Sequence, residues 1–343
     1  MSDLFEAFEY TEKVKRSSTS ASDQDLFYQL TPDFVLNSVE SCGWPTTGEY
    51  LQLNSYENRV YSLRVEYPPG DQIIAKFYRP GRWNEAAIRE EHEFLEELGA
   101  GGVSVVAPFR QNNGDTLSRH HGLWCAIFPK AKGRMPQEFT LEELTQLGRL
   151  LARLHNVGGL RSARHRPTID VAHMGTPALA TILPLISPGL RDRYASAAQG
   201  ILEYLDSELD PSRFQRIHGD CHRGNVLQTD EPGKPREFFL VDFDDFGMGP
   251  IAQDFWMLFR HDEEDFSEEI EAFLAGYTEL RDLPRSELRL MEPLRGLRIL
   301  HYAAWIARRW SDPHFPQLFP QYGSEGYWFE ELQQLEKVLH RLS

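Results

Sequence analysis

The feature that most constrains this chain is a change of hydrophobic period part-way along it. From Tyr50 the pattern is that of strands: Leu51-Gln52-Leu53, a turn-like Asn54-Ser55-Tyr56-Glu57-Asn58, Val60 to Tyr67, a Pro68-Pro69-Gly70-Asp71 turn, and Ile73 to Tyr78. This predicts a three-strand antiparallel meander. The Glu-rich segment Glu85 to Leu98 places Ala87, Phe94, Leu95 and Leu98 on one helical face before Gly99, Gly101 and Gly102 stop it. Strands are expected again over Val103 to Phe109 and Leu123 to Phe128, ending at the polar stretch Pro129-Lys130-Ala131-Lys132-Gly133.

Beyond that stretch the period becomes helical. Thr140-Leu141-Glu142-Glu143 reads as a capping box, in which the Thr and Glu side chains satisfy each other's unpaired backbone N–H groups. Leu141, Leu144, Leu147, Leu151 and Leu154 then form one apolar stripe. A second helix is expected over about Leu190 to Leu209, and more follow Pro250, one of them through Tyr302, Trp305 and Trp310. A single β interruption, Asn225 to Gln228 and Glu237 to Phe243, is joined by Asp230-Glu231-Pro232-Gly233-Lys234-Pro235. The expectation is an α+β fold with a β-rich first lobe over 25–128, a hinge over 129–133 and a helical second lobe over 134–343. Residues 1–24, with Lys13, Lys15, Arg16 and the run Ser17 to Ser20, lack apolar periodicity and read as a disordered leader.

Composition sets outer limits. With 343 residues, 41% of them hydrophobic and 26% charged, the chain is globular and long enough for two cores. Its net charge of −16 repels phosphate backbones and anionic lipid, which excludes broad nucleic-acid or membrane-surface binding. Cys42, Cys125 and Cys221 form no CxxC and cannot all pair, as expected of a reducing compartment. Met1 to Ser22 lacks a basic segment followed by an apolar one, and no stretch reaches the ~20 apolar residues of a membrane span. A cytoplasmic monomer is expected.

The chemistry is written around the β interruption: Ile217-His218-Gly219-Asp220-Cys221-His222-Arg223-Gly224-Asn225, then Leu240-Val241-Asp242-Phe243-Asp244. Asp220 and Asn225 have the Asp-x-x-x-x-Asn spacing of a phosphotransferase loop, where the Asp accepts the acceptor's proton and the Asn binds magnesium. If the two strands fold back around Gly233, paired residue numbers sum to roughly 466, which sets Asn225 opposite Val241 and beside Asp242. A carboxamide oxygen and a carboxylate then converge on one hard-cation site, and magnesium completes its octahedron with water and substrate phosphates. In the first lobe Lys76 sits in an apolar strand, where a lysine is costly unless it meets an anion. Glu91 is its expected partner, in competition with Glu90 and Glu93, to hold it toward the ATP α- and β-phosphates. The Asn54 to Asn58 turn occupies the place of a phosphate-covering loop without a glycine, and Ser55 is the expected ATP contact there.

At these residues the chain resembles the aminoglycoside phosphotransferase and choline kinase superfamily, whose fold is that of the eukaryotic protein kinases. The resemblance is carried by His218-Gly219-Asp220 through Asn225, by Val241-Asp242-Phe243-Asp244, and by Leu147-Gly148-Arg149-Leu150-Leu151-Ala152-Arg153-Leu154-His155. Narrower blocks resemble a bacterial serine/threonine protein kinase subfamily. They are Leu53 to Tyr61, Lys76-Phe77-Tyr78-Arg79-Pro80, and Ala304 to Trp310 with Asp312-Pro313 and Phe315-Pro316. The resemblance implies a cytoplasmic kinase using ATP and magnesium, linked to envelope and oxidative stress. It implies Asp220 as proton acceptor, Asn225 and Asp242 as metal ligands, Ser55 at ATP, and Lys76 with Glu91 from the wider pattern. Gly219 replaces a catalytic-loop Arg and Asp244 replaces the DFG glycine, so an Arg-dependent activation switch is not expected.

Two alternatives share these residues: a small-molecule kinase for an amino alcohol or aminosugar, and a nucleotide-binding module without catalysis. His218 is expected to brace the loop, and His120, His121 and His222 lack a zinc spacing. The run Asp262-Glu263-Glu264-Asp265, with Glu268, Glu269 and Glu271, reads as a solvated helix start rather than a site for a cationic acceptor. The cluster Trp305, Trp310, Phe315, Phe319, Tyr327 and Trp328 reads as core. Cys221, beside His222 and Arg223, is a structural thiol or, less favoured, a redox-sensitive one.

Overall fold

The computed structural model describes residues 26–68, 71–229, 236–259 and 267–342. The expected leader 1–24, the loop 230–235, the acidic run 262–265, and Pro69 and Gly70 of the first turn lie outside these residues. A helix that the hydrophobic pattern did not announce, Pro32–Ser41 (α1), comes first, its N-cap Thr31 accepting a hydrogen bond from Phe34 N at 3.3 Å. The expected meander follows as Thr46–Leu53 (β1), Arg59–Val65 (β2) and Gln72–Phe77 (β3), and then the helix Glu85–Ala100 (α2). Ser118–His120 (β4) and Leu123–Pro129 (β5) complete a five-stranded sheet of order β1-β2-β3-β5-β4.

The two-residue period of β3 decides where its lysine goes. Ile73, Ala75 and Phe77 point into a core shared with Val35 and Val39 of α1 and with Tyr61, Leu63 and Ile127. Lys76 therefore faces the other way, toward α2 and the rest of the chain. It is paired between Val60 and Ala126, in the middle of the sheet.

After β5 the chain is mainly helical: Leu141–Gly158 (α3), Thr176–Ile182 (α4), Pro188–Glu208 (α5), Gln253–Trp256 (α6), Ser267–Thr278 (α7), Arg285–Arg289 (α8), Met291–Arg309 (α9), His314–Leu318 (α10) and Glu325–Leu342 (α11). The capping box of α3 forms as expected, Glu143 N donating to Thr140 Oγ1 at 3.2 Å and Thr140 N to Glu143 Oε2 at 2.8 Å. Leu144, Leu147, Leu151 and Leu154 are fully buried, but Leu141, the first residue of the helix, is 48% exposed because the packed face begins one turn later.

Two pairs of short strands interrupt the helices, where one was expected: Gln215–Ile217 (β6) with Gly247–Gly249 (β9), and Val226–Gln228 (β7) with Phe238–Leu240 (β8). The first pair escapes a periodicity reading because each strand is three residues long and β9 is Gly-Met-Gly. The expected strand Val103 to Phe109 does not form. Its backbone is divided between two neighbours, Leu240 N donating to Ser104 O at 3.0 Å and Phe109 N to Ile127 O at 2.7 Å, so no continuous ladder is available. The main core runs from Ile88, Phe94 and Leu98 of α2 through α3 and α5 to α9 and α11. All three cysteines are buried and unpaired, and no described helix is long and apolar enough to cross a membrane.

Candidate active site

The segment from His218 to Asp220 is held from behind by one buried carboxylate. Asp254, at the start of α6, accepts from His218 N and Gly219 N at 2.8 Å each. It is itself fixed by His155 Nε2 at 3.1 Å, and the other nitrogen of that ring meets the Tyr277 hydroxyl at 2.9 Å. Burial outweighs the carboxylate and lowers the His155 pKa. A neutral ring donating from Nε2 and accepting at Nδ1 satisfies both contacts. Gly219 has φ +83°, and a Cβ there would lie 2.3 Å from the carbonyl oxygen of Asp245, so both conformation and space require glycine. His218 is fully buried and braces the loop as expected: Nε2 donates to Val241 O at 3.0 Å and Nδ1 accepts from Asp220 N at 3.3 Å.

The β7–β8 register is the one expected, Val226 opposite Leu240, which sums to 466. Val241 N donates to Asn225 O at 3.0 Å, and Asn225 Nδ2 donates to Asp220 O at 2.9 Å, which leaves the carboxamide oxygen for another partner. Asp242 adopts the left-handed region at φ 60° and ψ 68°. That conformation costs a non-glycine residue about 1–2 kcal/mol, and here it turns a carboxylate out of the hairpin, with 58% of the side chain exposed. A carboxamide oxygen and an open carboxylate are hard donors that fit magnesium. Among the described residues no group of three or more His, Cys, Asp or Glu is arranged to hold a metal. A magnesium ion on these two donors alone would need nucleotide phosphates and water to complete its octahedron.

Lys76 reaches the same place from the sheet. Its Nζ lies 3.1 Å from Glu91 Oε1, 3.1 Å from Asp244 Oδ1 and 3.8 Å from Asp242 Oδ1, and sits over the Tyr78 ring at 4.7 Å. Of the three candidate glutamates Glu91 alone makes this contact. Glu90 instead accepts from Arg164 N and His165 N at 2.7 Å each, and Glu93 faces solvent. Burial alone would lower the Lys76 pKa, but Asp244 and Glu91 raise it well above its ordinary value and keep the ammonium charged. Burial would likewise raise Asp244, and Arg82, Lys76 and Arg166 outweigh it to hold that carboxyl well below the usual range.

Sequence reasoning missed much of this cluster. Arg82 bridges Asp244 at 2.7 Å and Asp245 at 2.5 Å. Arg166 donates to the carbonyl oxygens of Asp244 and Phe246 and lies over the Trp83 ring at 4.1 Å. Asp244 could have been found as a second carboxylate beside Asp242 in an apolar segment. Arg82 and Arg166 carry no local signal.

Ser55 lies half-buried on the β1–β2 turn and makes no hydrogen bond among the described residues. Its neighbour Glu57 is buried and ties the turn to α9, accepting from Trp305 Nε1 at 2.8 Å and Arg309 Nη2 at 2.6 Å. Arg79 reinforces the tie, donating to Tyr56 O at 3.2 Å and Glu57 O at 2.8 Å and pairing with Asp312 at 3.1 Å. The aromatic cluster at Trp305 is therefore more than core, because it seats the turn. Cys221 is fully buried, and burial pushes its thiol well above its ordinary pKa, which excludes the reactive-thiol reading.

Asp220 is the remaining piece. Its side chain is 16% exposed, with Oδ1 2.8 Å from Arg298 Nη2 of α9 and Oδ2 3.7 Å from His222 Nε2. Arg298 was also outside the sequence reading.

Comparison with known proteins identifies the family. Residues 49–290 match the model of the phosphotransferase enzyme family. The chain is 35% identical over 308 residues to stress response kinase A of Escherichia coli strain K12, covering 89% of this chain and 91% of that protein. It is 36% identical over 321 residues to serine/threonine protein kinase RdoA of Salmonella typhimurium, covering 92% and 95%. Among solved structures, a microcompartment-associated aminopropanol kinase superposes with TM-score 0.71 at 21% identity, covering 91% of this chain and all of that one. Amicoumacin kinase hAmiN, solved with AMP-PNP, calcium and its ligand, superposes with TM-score 0.72 at 17% identity, covering 93% and 99%. The chain has the two-lobed protein-kinase-like α+β fold and belongs to the phosphotransferase enzyme family, as an ATP-using kinase whose relatives at 35% identity are stress response kinases A.

Proposed function

We propose that the chain is a magnesium-dependent serine/threonine protein kinase acting as a cytoplasmic monomer under envelope or oxidative stress. The observation that carries this reading is identity of 35–36% over about nine-tenths of the chain to proteins named stress response kinase A and serine/threonine protein kinase. Lys76, oriented by Glu91, meets the ATP α- and β-phosphates, and Ser55 covers them from the turn. Asn225 and Asp242 would hold magnesium, which when bound would supply positive charge against the phosphates. Asp220 takes the proton of the acceptor hydroxyl as that oxygen bonds to the γ-phosphorus, and the bond to the bridging oxygen breaks to release ADP. The hinge 129–133 links the two lobes.

A small-molecule kinase is the second reading, because the solved structures of this fold named above bear the names of small acceptors. Both readings use the same residues. Radiolabelled γ-phosphate from ATP should appear on Ser or Thr of the protein itself or of added proteins, and vanish in Asp220→Ala. Label found on a metabolite alone would overturn the protein-kinase reading, and unchanged ATP turnover in Asp242→Ala would overturn the metal assignment.

A further inference from the structure

Next to Asp220 lies a cavity of about 450 Å³ whose charge opposes that of the whole chain. It is lined by Trp256 of α6, by Arg295, Arg298, Ile299 and Tyr302 of α9, and by Gln334 and Lys337 of α11. Three of these side chains are cations and none is a carboxylate, in a protein of net charge −16. Arg298 joins the cavity to the base, because the guanidinium that lines it lies 2.8 Å from Asp220 Oδ1. The other two cations are under-satisfied. Arg295 is only 11% exposed, its Nε is buried without a hydrogen-bond partner, and its carboxylate partner Glu292 is shared with Arg341. Lys337 is exposed and makes no ion pair among the described residues.

We propose that this cavity is the acceptor subsite and that it selects a hydroxyl flanked by an anionic group, which for a protein kinase is a Ser or Thr with acidic neighbours. The inference rests on the kinase reading above and adds the charge of the acceptor. A cation-lined pocket repels an amino alcohol or aminosugar and concentrates a carboxylate. An acceptor anion on Arg298 also competes with Asp220 for the guanidinium, which frees the Asp220 oxygen to take the hydroxyl proton.

The test compares three peptides that share one Ser and differ only in having Glu, Gln or Lys at the flanking positions. The expected kcat/KM on the Glu peptide is at least tenfold above that on the Lys peptide. Lys337→Glu should cut that ratio at least tenfold and Lys337→Arg should keep it, whereas mere destabilisation would lower both rates alike. Equal or faster phosphorylation of the Lys peptide, or a ratio unmoved in both Lys337→Glu and Arg295→Gln, overturns the proposal. If every peptide is inert and a small hydroxy acid is phosphorylated, the charge selection stands and the protein-kinase reading falls. If an amino alcohol is phosphorylated instead, the charge selection falls while the kinase remains. No ATP turnover with any acceptor overturns both.

Discussion

The two sides of the cleft handle charge in opposite ways. On the nucleotide side Lys76, Arg82 and Arg166 face Glu91, Asp244 and Asp245 in a network in which each ammonium or guanidinium meets an oxygen. On the proposed acceptor side Arg295, Arg298 and Lys337 line open space, and among the described residues only Asp220 and Glu292 lie at ion-pair distance from them. Opposed buried charges are expensive to disturb, because removing one leaves its partner unpaired in low dielectric. Cations that outnumber their carboxylates at an open pocket are available to a ligand. The lesson is that the first region is built to stay as it is, and the second to change when something binds.

The sharpest break is chemical. Asp220→Asn keeps the loop's shape and its contact with Arg298 but removes the proposed proton acceptor, so kcat should fall by about 10²–10⁴ with little change in ATP affinity. A steady-state assay checks this, and a comparable loss of ATP binding would place Asp220 on the nucleotide side instead. The next largest effect is on stability. Asp244→Asn leaves Lys76 and Arg82 facing a neutral amide inside the protein and should cost about 3–5 kcal/mol, read as a lower denaturant midpoint. Neutralising Lys337, by contrast, should be almost silent in the same measurement, because that side chain is exposed and unpaired.

Much of this contrast follows from what a sequence can encode locally. The Asn225–Asp242 pair was legible because a hairpin register is arithmetic, and Val226 opposite Leu240 obeys it. The Lys76–Glu91 pair was legible because a lysine in an apolar strand needs an anion and the next helix is rich in Glu. The rest of the network was not legible, because Arg82 meets Asp244 and Arg298 meets Asp220 across long stretches of chain that only tertiary packing brings together. The same holds for Val103 to Phe109, where an apolar run suited to a strand found its partners on two different elements. Helix α1 has a Thr N-cap followed by proline, a start signal that the short, weakly periodic segment after it did not reinforce.

The two regions should also respond to pH in opposite directions. Asp244 has its folded-state pKa depressed, so its contribution is present above the unfolded carboxylate value and is lost as pH falls below it. Behind the acceptor wall, Glu331 of α11 is buried and accepts from Tyr194 at 2.9 Å and Tyr327 at 2.6 Å. Burial raises it from 4.5 to about 7, with the two tyrosine hydroxyls pulling the other way. Between those values the folded chain holds a proton that the unfolded chain has released, so stability falls as pH rises to about 7 and levels off above it. The full span is about 3 kcal/mol. Glu331→Gln should remove that part of the slope in melting experiments between pH 5 and 8. An unchanged slope would mean that α11 is anchored some other way.

The smallest expected effect tests whether the two regions communicate. Glu57 links the nucleotide network to α9: it lies 3.5 Å from Arg82 and 2.6 Å from Arg309, on the same helix as Arg295 and Arg298. Glu57→Gln keeps a hydrogen-bond acceptor for Trp305 but removes the charge that Arg79, Arg82 and Arg309 share. Arg79 keeps Asp312 and Arg82 keeps Asp244 and Asp245, so the stability cost should be about 1–3 kcal/mol. The informative readout is kinetic. If the turn at Ser55 and the helix at Arg298 move as one piece, the variant should raise KM for ATP and for the acceptor together, because a loosened turn also loosens the wall of the acceptor pocket. A rise in KM for ATP alone would show that the tie serves only the nucleotide, and that the acceptor side owes its shape to α11 and Glu331 instead.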